Sequence, residues 1–154
     1  MTLKSVLKSN YAQCLSRACV DKGCKVKLGK LRPDHIVLSG TKYQLVFNYT
    51  QNLCDFLIFV NVSANPISLA LVELKGYVDE QEFDTAYSQL KHGAEIADQI
   101  ASSSDVDHFA AYIAKTGMNA FAARMLVNPK FQIGFRGLRK PMKPLRCGDS
   151  LPHM

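Results

Sequence analysis

The chain has 154 residues, 47% of them hydrophobic and 21% charged, and a formal net charge of +6. That length suits one domain with a sizeable core, and the balance of apolar and charged residues excludes an intrinsically disordered chain. The longest apolar runs, such as Phe56 to Val60 and Leu69 to Val72, fall far short of the roughly 20 residues that a membrane-spanning helix needs.

Between Thr2 and Cys19, apolar side chains at Leu3, Val6, Leu7, Tyr11, Cys14, Leu15 and Ala18 follow one face of an amphipathic helix, and Gly23 and Gly29 then break the pattern. His35 to Ser39 and Lys42 to Phe47 read as two strands around a Ser39-Gly40-Thr41 turn. A second pair, Asp55 to Val62 and Ile67 to Lys75, is separated by Ser63-Ala64-Asn65-Pro66. Both members are apolar on both faces, as in the middle of a covered sheet. A helix is predicted from about Asp84, as N-cap, to Ala101, with Ala86, Leu90, Ile96 and Ile100 on its apolar side. His108 to Val127 is divided between helix, which its alanines favour, and a strand over Phe121 to Val127 ending at Asn128-Pro129. Beyond Pro129, the basic residues and Pro141 and Pro144 predict an irregular stretch, with a short final strand over Leu145 to Leu151. No repeat or long linker divides the chain. The expectation is a single α/β domain over residues 1–154, a central mixed sheet flanked by helices, with a basic C-terminal segment over 129–154.

Charge is unevenly placed. No Glu precedes Glu73, whereas Lys4, Lys8, Arg17, Lys22, Lys25, Lys27, Lys30 and Arg32 crowd the first third. The acids concentrate between Glu73 and Asp107, and Lys130, Arg136, Arg139, Lys140, Lys143 and Arg146 make the end basic again. Such asymmetry favours a polyanionic partner such as nucleic acid, against the simpler reading of a solvated basic surface. Lys25, Lys27 and Lys30 are candidates for a loop that tracks phosphates, and Arg136, Arg139 and Lys140 for a second wall of the same groove. Few aromatics interleave with them, which argues against a stacking platform for single strands. The N-terminus lacks the features of a secretory signal, so a cytoplasmic protein is expected. The five cysteines lack a close Cys-x-x-Cys pair and read as free thiols in a reducing compartment rather than as metal ligands. His35, His92 and His108 form no compact motif.

The stretch Leu71-Val72-Glu73-Leu74-Lys75-Gly76 sets two charges at the end of an apolar run. Side chains alternate along a strand, so Glu73 and Lys75 project from one face. If the second strand pair is a hairpin symmetric about Ala64, Asp55 lies directly opposite Glu73 and the three groups cluster at one end of the sheet. That register needs an odd-membered loop or one bulge; a regular four-residue loop turns Asp55 to the other face. Two adjacent carboxylates repel, a divalent cation relieves the repulsion, and hard oxygen donors select Mg²⁺ or Mn²⁺. Lys75 is placed to hold a water or to stabilise charge on phosphate oxygens, which suits hydrolysis of a phosphodiester. The alternative is a strand-end salt-bridge cluster without catalysis.

Asp55 in Cys54-Asp55-Phe56-Leu57-Ile58-Phe59, followed by Glu73-Leu74-Lys75 closing the next strand, resembles the PD-(D/E)XK nuclease superfamily, which includes restriction endonucleases and Holliday-junction resolvases. Ala86-Tyr87-Ser88-Gln89-Leu90 looks like the helix that packs behind the site in many members. The resemblance spans roughly Asp34 to Ile100. It implies a restriction endonuclease-like fold and a Mg²⁺- or Mn²⁺-dependent nuclease acting on DNA ahead of RNA. It makes Asp55 and Glu73 metal ligands together with the carbonyl of Leu74, gives Lys75 the nucleophilic water to orient, and makes Gln89 an accessory polar contact. It also makes a homodimer or a targeting partner protein plausible. The chain departs from the pattern in having Cys54 where Pro is usual and no Glu in its N-terminal helix. From a different class comes a non-catalytic nucleic-acid- or partner-binding module that retains the fold.

Overall fold

The computed structural model describes residues 2–21 and 23–154; Lys22, one of the basic positions noted above, lies outside the described residues. The chain opens with α1 (Leu3–Asn10), a 3-10 turn (Ala12–Cys14), the two-residue strand β1 (Leu15–Ser16) and a small hairpin of β2 (Cys19–Asp21) and β3 (Cys24–Val26). Then come β4 (His35–Ser39), α2 (Gly40–Phe47), β5 (Phe56–Val60), β6 (Ile67–Leu74) and β7 (Tyr77–Val78). The long helix α3 (Glu80–Ile100) leads to β8 (Val106–Lys115), β9 (Gly117–Met118), α4 (Ala120–Leu126), a second 3-10 turn (Pro129–Phe131), β10 (Gln132–Phe135) and β11 (Leu138–Arg146).

Seven strands form one mixed sheet in the order β1-β4-β5-β6-β8-β11-β10. β6 runs parallel to β8 and β8 to β11, while the remaining pairs are antiparallel. β5 and β6 are buried along their whole length, because each has neighbours on both sides and packed layers above and below. On one side, Leu57, Phe59, Leu69, Leu71, Phe109 and Ile113 meet the buried residues of all four helices. On the other, Phe56, Ile58, Val60, Ala70, Val72 and Tyr112 are covered by no helix but by Cys19, Cys24, Val26, Leu31 and Leu151. The structure is thus α/β with a central mixed sheet, its helices gathered on one face.

Several elements differ from the sequence expectation. α1 stops at Asn10 instead of running to Cys19, because Tyr11 turns to pack its ring against Tyr43 and Phe47 and the chain then pairs Leu15 with Leu38. Lys42 to Phe47 is helix, not strand. The Ser39 hydroxyl caps it by accepting the Lys42 N–H at 3.2 Å, and Tyr43 and Phe47, one helical turn apart, pack with tilted rings whose centroids are 4.7 Å apart. α3 starts a turn before the expected Asp84, with Asp79 as N-cap for the Glu82 N–H. The alanine-rich stretch from 106 is the strand β8. It lies between two parallel neighbours, where small residues suit a strand buried on both faces, and α4 follows from its cap Asn119.

The stretch beyond Pro129 is not irregular. β10 and β11 form a hairpin on Arg136-Gly137, both with positive φ (49° and 81°), as a two-residue turn of this kind requires. β11 accommodates Pro141 and Pro144 because its first half pairs only with β10 and its second only with β8, leaving each proline an unpaired side. The expected strand over Leu145 to Leu151 is the last step of β11 and an irregular tail. Finally, Cys24 and Cys147 are joined by a disulfide, contrary to the expectation of five free thiols; Cys14, Cys19 and Cys54 are free and buried. Sequence spacing held no hint of that bond, since its partners are 123 residues apart. No helix among the described residues is long and apolar enough to cross a membrane.

Candidate active site

The site is built at one end of the sheet, where β5 begins and β6 ends. Phe56 lies opposite Val72 and Val60 opposite Ser68, so the loop between the paired ends is odd-membered and the next step sets Asp55 against Glu73. The contact is direct. The Asp55 N–H donates to Glu73 Oε1 at 3.0 Å, and the Leu74 N–H donates to Asp55 Oδ2 at 2.8 Å. Lys75 Nζ lies 3.3 Å from Glu73 Oε2 and 3.2 Å from Glu82 Oε2 on the first turn of α3. Asp55, Glu73 and Lys75 therefore share a face, the one toward the helices.

Neighbouring elements fix these groups. The Gly40 N–H donates to the Asp55 carbonyl at 2.7 Å, and a Cβ at Gly40 would fall 1.9 Å from the Cys54 carbonyl oxygen, so only glycine lets α2 begin against this segment. From the other side α3 grips residues 52–54. The Cys54 N–H donates to the Gln89 carbonyl at 3.1 Å, Ser88 Oγ donates to Asn52 Oδ1, and His92 Nδ1 lies 2.6 Å from the Asn52 carbonyl. His92 is thus part of the clamp that positions the start of β5.

A cavity of about 350 Å³ opens here, lined among others by Asp21, Cys24, Asp55, Glu73, Lys75, Glu82 and Gln89. Glu73 is only 2% exposed. Burial first, and the neighbouring Asp55 second, push its carboxyl up to about 8. Burial also raises Asp55; the Leu74 N–H pulls it back down and Asp21 adds to the rise. Burial works against the Lys75 ammonium, yet Glu73 and Glu82 outweigh it, so its net shift is upward. Lys75 is a cation and a donor at neutral pH, while the two carboxyls hold a proton between them. The Cys54 thiol, fully enclosed, is pushed far up by burial and then by Glu73 and Asp55, which makes it inert packing.

Gln89 also reaches the site: its Nε2 lies 3.5 Å from the Leu53 carbonyl, and its buried Oε1 has no hydrogen-bond partner. Asp21 and Glu82 were not anticipated. Glu82 carries a signal, since a helix starting at Glu80 brings it back over Lys75, whereas nothing local in Val20-Asp21 points to the cavity. Among the described residues no three His, Cys, Asp or Glu side chains lie close enough together to hold a metal ion. A cation here would rest on Asp55, Glu73, a backbone oxygen and waters, a donor set that Mg²⁺ tolerates.

The basic candidates divide. Lys25, Lys27 and Lys30 are exposed, and Lys25 adjoins the cavity through its neighbour Cys24. Arg136, Arg139 and Lys140 are not brought to the site. Arg139 is seven positions before Arg146 on β11, about 23 Å along a strand from the level of the carboxylates. Arg136 clasps the C-terminal end of α3, with Nε 2.6 Å from Asp98 Oδ1, Nη1 2.6 Å from the Ser104 carbonyl and Nη2 2.7 Å from that of Ala101. A guanidinium in that position satisfies helix-end carbonyls and has little left for phosphate. No protein-family model matches the sequence, and neither a curated protein nor a solved structure matches the chain.

Proposed function

We propose that this protein is a metal-dependent nuclease of the PD-(D/E)XK kind, with a restriction endonuclease-like fold, that hydrolyses nucleic-acid phosphodiester bonds. One observation carries the reading: Asp55 and Glu73 meet on one face, with Lys75 Nζ 3.3 Å from Glu73 Oε2, at the wall of an open cavity. The donors fit a hard cation. They are oxygens only, and burial together with the neighbouring Asp55 already makes Glu73 hold a proton that a cation would displace. Asp55, Glu73 and the Leu74 carbonyl would hold Mg²⁺ or Mn²⁺, which when bound supplies neutralising charge to the carboxylates and to the phosphate oxygens.

The chain's own groups do the rest. Lys75 has three N–H donors; Glu73 and Glu82 take two, leaving one for a water or a phosphate oxygen in the cavity. Being a cation, Lys75 orients the attacking water and stabilises developing negative charge; it does not remove the proton. Gln89 lines the cavity from the helix side, and a turn of its amide would bring the now buried and unpaired Oε1 to a water there.

The test is cleavage of double-stranded, single-stranded and branched nucleic acids with Mg²⁺ or Mn²⁺. Wild-type protein is expected to cut, and Asp55→Ala and Lys75→Ala to lose about 100-fold or more in rate while still binding. No turnover on any substrate with either ion overturns the proposal in favour of a binding module with the same fold.

A further inference from the structure

Lys75 is the first of three cations in a row. Leu74 pairs with Ala114 across β6 and β8, and the Lys75 N–H donates to the Ala114 carbonyl at 2.7 Å, so Lys75 stands level with Lys115. Lys115 in turn pairs with Arg146 across β8 and β11. Alternation along each strand puts all three on the helix side, the side of Glu73: Ile113 on β8 and Met142 on β11 belong to that core, and Lys115 and Arg146 follow them by even steps.

Like charges directly opposite one another on neighbouring strands are destabilising. Glu73 and Glu82 compensate Lys75, but among the described residues no carboxylate forms an ion pair with Lys115 or Arg146. Asp149, the nearest acid in the chain, accepts the Arg146 backbone N–H at 3.0 Å instead of pairing with the guanidinium. Residues on either side of the row are stitched by backbone bonds from Cys147 to Lys115 at 2.9 Å and from Gly148 to Lys25 at 2.6 Å. The row is therefore held in place with uncompensated charge, spanning two strand spacings, about 10 Å, from the candidate site.

We propose that Lys115 and Arg146 bind the phosphates next to the one attacked, so that a DNA backbone crosses the strand ends from Lys75 toward Arg146. The position of the attacked phosphate in this path rests on the nuclease reading of Asp55, Glu73 and Lys75. The path runs across the end of the sheet and leaves Arg139 and Lys140 out of the interface.

The experiment is fluorescence anisotropy with a labelled DNA duplex, in chelator so that nothing is cut, over a series of salt concentrations. Each lost phosphate contact lowers the slope of log affinity against log salt by about 0.9, so Lys115→Ala/Arg146→Ala is expected to reduce it by about 2. The equally charge-reducing Arg139→Ala/Lys140→Ala is expected to leave the slope unchanged, and Lys115→Arg/Arg146→Lys to retain it. Equal slopes for the two alanine doubles, or no salt-dependent binding by wild type, overturn the path. A wild type that cuts DNA while Lys115→Ala/Arg146→Ala keeps its slope removes the path and leaves the nuclease. A wild type that cuts nothing, with the slope falling as expected, removes the nuclease and leaves the row as a DNA-binding surface.

Discussion

Replacing Glu73 by Gln separates the electrostatics of the buried carboxyl from its packing. The side chain is 2% exposed, and its Oε1 accepts the Asp55 N–H, a role the Gln carbonyl can keep. In the wild type the folded-state value of about 8 stands well above the ordinary 4.5, with burial and then Asp55 as causes. For a group raised on folding, the sign is fixed: its contribution to stability is fully present below the unfolded value and is lost as pH rises through the folded one. One proton bound by the folded chain and not by the unfolded chain gives a slope of about 1.4 kcal/mol per pH unit. Between about pH 5.5 and pH 7.5, inside that window, wild-type stability is expected to fall by about 2 to 3 kcal/mol relative to Glu73→Gln. Because the proton is shared with Asp55, the loss belongs to the pair. Urea denaturation followed by circular dichroism in chelator measures it. Parallel stability–pH curves for the two proteins would refute the account of a protonated, buried carboxyl pair.

Three further outcomes follow from the same geometry. Calorimetric titration of Mg²⁺ or Mn²⁺ in buffers of different ionisation enthalpy should show release of about one proton at neutral pH, with affinity rising about tenfold per pH unit below 8; a pH-independent affinity would contradict the displaced proton. Gly40→Ala should destabilise by about 3 kcal/mol in denaturant titration, because the added Cβ meets backbone that cannot yield. Gly93→Ala, whose Cβ would meet Cys54 Sγ at 2.5 Å, should be rescued by Cys54→Ala, and equal behaviour of the two glycine variants would speak against this packing. Arg136→Ala should cost about 1 to 2 kcal/mol, its half-exposed partner Asp98 limiting the loss, while leaving DNA affinity unchanged; a drop in affinity would return Arg136 to the nucleic-acid interface.

The carboxylate pair was readable because it depends on strand parity alone. Two runs apolar on both faces identify central strands, and Asp55, Glu73 and Lys75 follow from alternation once the loop is odd-membered. Where local pattern is weak, packing decided. Lys42 to Phe47 became helix through the Ser39 cap and the Tyr11–Tyr43–Phe47 rings, and the alanines of β8 became strand through two parallel neighbours. Prolines in β11 looked like breakers only while its half-and-half pairing was unknown. Asp21 and the Cys24–Cys147 bond were invisible for a simpler reason: each acts on residues far away in the chain.

That bond also bears on the order in which the protein is made. The helix-free side of the sheet is roofed by the chain's early hairpin and by Leu151, which is fully buried beside it, its N–H bonded to the Lys27 carbonyl. During synthesis Asp55, Glu73 and the whole of α3 leave the ribosome before Cys147 and Leu151 exist. The nascent sheet can gather its helices while Phe56, Ile58 and Val72 still lack their cover, and contacts of such long sequence separation close late. The cavity wall that carries Cys24 is then locked only after Cys147 and Leu151 have emerged, and until they do the growing chain leaves this apolar sheet face without its cover.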